Sequence, residues 1–227
     1  MTPGTERPPG GMESLYPFLY AERVDLDAVL EQVRRSTAEK AGEIVALREH
    51  VLQRDRDRLV ACAEAMARRF AEGGRLFVLG NGGSSPDAQD MAALFLHPPG
   101  SRRALPAVSL TGDVAVVTAL ANDIGFDVVF ARQLAAFGRP GDLAVGLSTS
   151  GNSENLLRGF DEARRRGLLT VGLAGYEGGR MAEAGTIDHL FVVPSSSVHR
   201  IQEAQTTVYH VLWELVQVRL DEREMAG

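Results

Sequence analysis

The chain has 227 residues, enough for one α/β domain with an extension or for two small domains. Its hydrophobic fraction of 44% is ordinary for a globular protein, and a formal charge of −6 argues against nucleic-acid backbone binding as the main task. The single cysteine, Cys62, excludes an intrachain disulfide, and no apolar run reaches the length of a membrane span.

In chain order, residues 1–18 are rich in Pro and Gly and are expected to form a flexible tail without signal-peptide character. Together with the lone cysteine this points to a cytoplasmic protein without a membrane partner. From Val24 to Phe70, apolar residues recur at three- and four-residue spacing: Val29, Leu30, Val33, then Ile44, Val45, Val51 and Leu52. The pattern predicts two helices, 25–51 and 52–71, closed by Gly73-Gly74, so that residues 19–74 form a helical extension. Five short apolar runs follow: "RLFVLG" (75–80), "PAVSL" (106–110), "DLAVGLS" (142–148), "LLTVGLAG" (168–175) and "HLFVVP" (189–194). Helical stretches separate them near 86–97, 113–121, 127–137, 152–166 and 178–184. A final helix is expected from Val198 to Glu222, with 223–227 as a tail and 75–222 as the main domain. Buried strands alternating with helices imply an α/β fold: three layers, α/β/α, around a five-stranded parallel sheet.

In an open parallel sheet, ligands bind beyond the carboxyl ends of the strands. Three such ends here are rich in Gly, Ser or Thr: "GNGGSS" (80–85), "STSGNS" (148–153) and "AGYEGG" (174–179). Glycines let backbone amides approach a ligand, and a helix N-terminus adds N–H groups and partial positive charge. Ser148, Thr149, Ser150 and Ser153 add four hydroxyls. Together they describe a site for a phosphate. No Walker lysine follows either of the first two loops, which argues against a nucleoside triphosphate. The competing reading is helix capping by Ser150 or Asn152, which requires one such side chain rather than four hydroxyls.

Five segments, "GNGGSSPDAQ", "ANDIGFDVVFARQL", "GDLAVGLSTSGNSENLL", "GYEGGRMA" and "RIQEAQTTVYH", occur in an order that resembles the SIS (sugar isomerase) domain family, and most of all the phosphoheptose isomerases. The resemblance covers roughly residues 24–220. It implies a phosphorylated-sugar substrate, interconversion of sedoheptulose 7-phosphate with a heptose 7-phosphate, and a homotetramer. It also implies that Ser84, Ser148, Thr149, Ser150 and Ser153 hold the sugar phosphate, with Asn81 and Asp123 lining the same site. Asp123 is otherwise a turn-forming residue.

The isomerases move a proton between C1 and C2 of the sugar, which requires an acid and a base beside those carbons. The family supplies a Glu after the first Gly-rich loop and a His on the last helix. Some members add zinc, held by that pair with a second His and a Gln. Gln202 and His210 match the last-helix positions. The others do not: Leu94 stands at the catalytic Glu position and Asp90 at the second His position. His199 replaces an Asp common before the "RIQE" motif. The residues by themselves assign no cofactor, and zinc is the metal the resemblance would bring.

Asp90 and His97 share one helix face, and Asp90, His97, Gln202 and His210 are of suitable ligand type for a divalent metal. The alternative for Asp90 and His97 is a solvated face; for His210 it is a hydrogen-bonded core histidine. Glu203 and Asp90 are the candidate substitute carboxylates, with His210 as acid or base and Gln202 positioning the sugar. Glu203 is equally suited to pairing with an Arg. A second functional reading is a catalytically silent protein that binds protein partners, as the related DnaA initiator-associating protein does. The apolar stripes of the N-terminal region and of the last helix are read as an oligomer interface or as monomer core.

Overall fold

A computed structural model describes residues 26–226; the tail expected over 1–18 lies outside them. The described residues begin in helix α1 (Leu26–Ala71). Then follow β1 (Leu76–Gly80), α2 (Ser84–Leu96), β2 (Ala107–Ser109), α3 (Val114–Asp123), a 3₁₀ turn (Phe126–Val128) and α4 (Val129–Phe137). The chain continues through β3 (Leu143–Leu147), α5 (Glu154–Arg165), β4 (Leu169–Gly175), α6 (Gly179–Glu183), β5 (His189–Val193) and α7 (Val198–Ala226).

The five strands pair in parallel in the order β2-β1-β3-β4-β5. Side-chain alternation along each strand builds two cores. Leu76 and Val78 of β1, with Val145, Val171 and Phe191, pack against α1, α2 and α7. Phe77 and Leu79 face the other way, onto Val129, Phe130 and Leu134 of α4 and Leu156 and Ala163 of α5. The result is the three-layer α/β/α arrangement with an N-terminal helical extension that the alternating pattern implied.

The chain leaves β1 for β2 on one side and returns to β3 on the other. The strand order therefore switches direction between β1 and β3, which pair from Leu76↔Leu143 to Gly80↔Leu147. The carboxyl ends of the two strands, with the loops 81–83 and 148–153, thus lie side by side at the switch point, where open parallel sheets bind ligands.

One expectation is corrected. The N-terminal pattern is one helix of 46 residues, not two. The polar run "QRDRDR" (53–58) breaks the apolar periodicity without breaking the helix, since none of its residues is Pro or Gly. Within it Asp55 is buried and takes Arg54 at 2.5 Å and Arg58 at 2.7 Å. Those arginines also donate to the Val192 and Leu190 carbonyls of edge strand β5. The compact unit that contains the sheet begins at Ile44 and includes the second part of α1. Residues from Val51 to Phe70 contribute to the main core. At the other end, α7 runs to Ala226. No helix among the described residues is long and apolar enough to cross a membrane.

Candidate functional site

Two glycines bring the loops of the site together. Gly151 has φ +68 and is buried; a Cβ there would lie 1.9 Å from the Gly178 carbonyl oxygen. Only glycine permits that approach, which sets the serine loop against the loop after β4. Gly83 does the same on the other side: its Cβ would lie 2.6 Å from Gln202 Nε2, so the first Gly-rich loop rests against α7.

Ser148 is 5% exposed at the end of β3. Its Oγ accepts the Gly151 N–H at 3.0 Å and stands 3.5 Å from Ser153 Oγ. Ser150 Oγ accepts the Asn152 N–H at 3.2 Å, closing a turn rather than capping α5. The N-cap of α5 is Ser153, and its hydroxyl makes no capping hydrogen bond. Asn152 accepts from the Arg180 N–H at 3.0 Å, at the start of α6. Capping therefore does not account for the hydroxyls of this loop. Thr149 is half-buried between Ser148 and Ser150.

Ser84 starts α2 and is 3% exposed. Asn81 forms a reciprocal amide pair with Asn155 of α5, at 2.7 and 2.9 Å, across the switch point. Ser150 and Asn152 also line a cavity of about 690 Å³ with Tyr176, Glu177 and Ser195. A smaller one, about 260 Å³, lies between α2 and α7, lined by Asp87, His199, Gln202, Glu203 and Thr206.

The catalytic candidates fall on α2 and α7. Asp90 accepts the Tyr209 hydroxyl at 2.6 Å; burial and this carboxylate push the tyrosine pKa upward. Glu203 pairs with Arg200 at 2.8 Å, the partnership left open by the sequence. His210 Nδ1 lies 2.9 Å from the Thr206 carbonyl. A carbonyl only accepts, so Nδ1 carries the proton and Nε2 holds the basic lone pair of the neutral ring. Leu94 packs against the main core. Asp123 is exposed at the end of α3, with its carboxylate accepting from Asn122 at 2.8 Å. His97 is exposed at the C-cap of α2.

The sequence reading missed Asn155, Asp87 and Tyr209. Asp87 accepts from Gln202 Nε2 at 3.3 Å, and burial, partly offset by that hydrogen bond, holds its pKa above the usual carboxylate value. Its signal was its place inside "GNGGSSPDAQ", four residues past the loop.

With this geometry in view, the comparisons are specific. The SIS domain profile matches residues 41–175. The chain belongs to the SIS domain family. A phosphoheptose isomerase of Nitratidesulfovibrio vulgaris is 43% identical over 197 residues, covering 86% of this chain and 94% of that protein. One from Chlorobaculum tepidum is 47% identical over 179 residues, covering 75% and 83%. The solved phosphoheptose isomerase of Neisseria gonorrhoeae superposes with a TM-score of 0.76 at 34% identity, covering 82% and 99%.

The zinc set that the resemblance implies does not fit the residues present. Among the described residues no group of three or more His, Cys, Asp or Glu side chains could hold a metal ion. Leu94 offers no donor atom at the position where the resemblance places the glutamate ligand.

Proposed function

We propose that the protein is a phosphosugar isomerase of the phosphoheptose type, acting on sedoheptulose 7-phosphate or a related sugar phosphate with a remodelled catalytic pair. The observation that carries this is the serine loop: Ser148 and Ser153 present facing hydroxyls beside the first turn of α5, at the switch point of the sheet. The phosphate rests on Ser84, Ser148, Thr149, Ser150 and Ser153, with Asn81 holding the two loops in register. Gln202 positions the sugar. His210 moves the proton between C1 and C2 through Nε2, which its bond to Thr206 leaves as the basic nitrogen. Asp90 and Glu203 are the substitute carboxylates, one held by Tyr209 and the other by Arg200. The protein works in the cytoplasm as a homotetramer.

A carboxylate at position 94 is what the active pair lacks. General acid–base catalysis typically contributes about 10²–10⁴-fold, so turnover of sedoheptulose 7-phosphate is expected to be slow with binding retained. Leu94→Glu should raise turnover, and the gain should vanish in Leu94→Glu/His210→Ala. The measurement is exchange of the substrate C–H with deuterated water, followed by NMR beside the isomerisation rate. Fast exchange by the unaltered protein would show that the acid–base pair is intact without position 94.

The second reading, a silent SIS protein that binds phosphosugar and a protein partner, is favoured by Leu94, which can neither accept a proton nor bind a metal. It predicts sugar-phosphate binding with no exchange in either protein.

A further inference from the structure

Gln205 lies three residues after Gln202 on α7 and is 0% exposed. Its Nε2 donates to the Ser148 carbonyl at 3.3 Å. Ser148 is the residue whose hydroxyl takes the Gly151 N–H and faces Ser153. The other end of the carboxamide, Oε1, is buried and meets no donor. Turning the amide round would not help, because Oε1 would then face a carbonyl that can only accept. A buried acceptor without a donor is costly, so a side chain retained only for packing would be better replaced by an apolar one.

We propose that Gln205 is a positioning residue for the bound phosphate, an inference that rests on the phosphate reading of the serine loop. It ties Ser148 to α7 and so fixes the distance between that loop and the helix that carries Gln202 and His210. One helix then serves both ends of a sugar phosphate: Gln205 sets the loop that holds the phosphate, and Gln202 and His210 address the sugar. Ile201, one turn earlier, supports the arrangement. It packs where a Cβ on Gly175 would stand, 2.4 Å from its Cδ1 and 2.5 Å from the Thr149 carbonyl oxygen.

A purely structural role and a positioning role separate experimentally. Gln205→Leu removes the tie and also removes the donorless acceptor. It also strands the Ser148 carbonyl that Nε2 had served, so the two acceptor effects offset and the melting temperature should shift little, while its affinity for sedoheptulose 7-phosphate and for inorganic phosphate, by calorimetry on the full chain, should fall at least about tenfold. Gln205→Glu gives a second arm. Its ionised carboxylate cannot donate to the Ser148 carbonyl and repels phosphate; its protonated form can donate. The affinity deficit relative to the unaltered protein should therefore shrink by about tenfold or more between about pH 8 and pH 5. If the unaltered protein binds and both variants bind equally well at every pH, the positioning role is overturned and the phosphate reading stands. If the unaltered protein binds neither ligand, both fall.

Discussion

Asp87 shows how a single side chain can report on the crevice between α2 and α7. Burial disfavours its charged form, Gln202 partly restores it, and the nearby Asp90 opposes it again. The folded state therefore holds the Asp87 proton more tightly than the unfolded chain does. Stability from this group is present at low pH and is lost as pH rises from the ordinary carboxylate pKa through the raised one. Asparagine keeps an acceptor for Gln202 Nε2 and carries no charge. Asp87→Asn should raise the melting temperature relative to the unaltered protein more at pH 7 than at about pH 3.5, near the ordinary pKa. A difference independent of pH, or larger in acid, would contradict the assignment. The residue-scale picture also shows what could not be read from the sequence. Asn81 with Asn155, Asp87 with Gln202, and Asp90 with Tyr209 join positions 74, 115 and 119 apart. Such pairs are fixed by packing of whole helices, and no local pattern encodes them.

At the scale of elements, the strands were legible because short apolar runs in a doubly covered sheet have little choice of conformation. The loops marked the site but not the switch point: glycine and hydroxyl residues cluster after the first, third and fourth strands, and only the strand pairing shows that the first and third are neighbours. The long helix was less legible, since a buried Asp55 held by two arginines looks like a solvated break when only the sequence is read. The serine loop owes its shape to Gly151. Alanine there would have to adopt a left-handed conformation, at a cost of about 1–2 kcal/mol, before its Cβ meets the Gly178 carbonyl. Gly151→Ala should lower the urea midpoint accordingly and reduce phosphosugar affinity together with it. Unchanged stability and affinity would show that the contact of the two loops is dispensable.

At the scale of the whole molecule, apolar surface remains to be covered. None of the residues of α3, "VAVVTALAND", is buried, and Val108, Val114, Phe126 and Phe137 are exposed around it. In the N-terminal unit Leu26, Leu30 and Val33 are exposed along one helix. Apolar patches of this kind mark association surfaces, and self-association is the form the proposal gives them. Light scattering should give a tetramer's mass at micromolar concentration; a monomer throughout would contradict it. Most of what has been proposed, however, depends on the serine loop holding a phosphate. Hydrogen bonds to charged groups contribute roughly 1.5–3 kcal/mol each, so removing two donors should be easily measured. The direct measurement is calorimetric titration of sedoheptulose 7-phosphate into the unaltered protein and into Ser148→Ala/Ser150→Ala, with the fold of each checked by circular dichroism. Expected is saturable binding that weakens at least about tenfold in the double variant. Equal affinity in two folded proteins would remove the phosphate from this loop, and with it the central assignment.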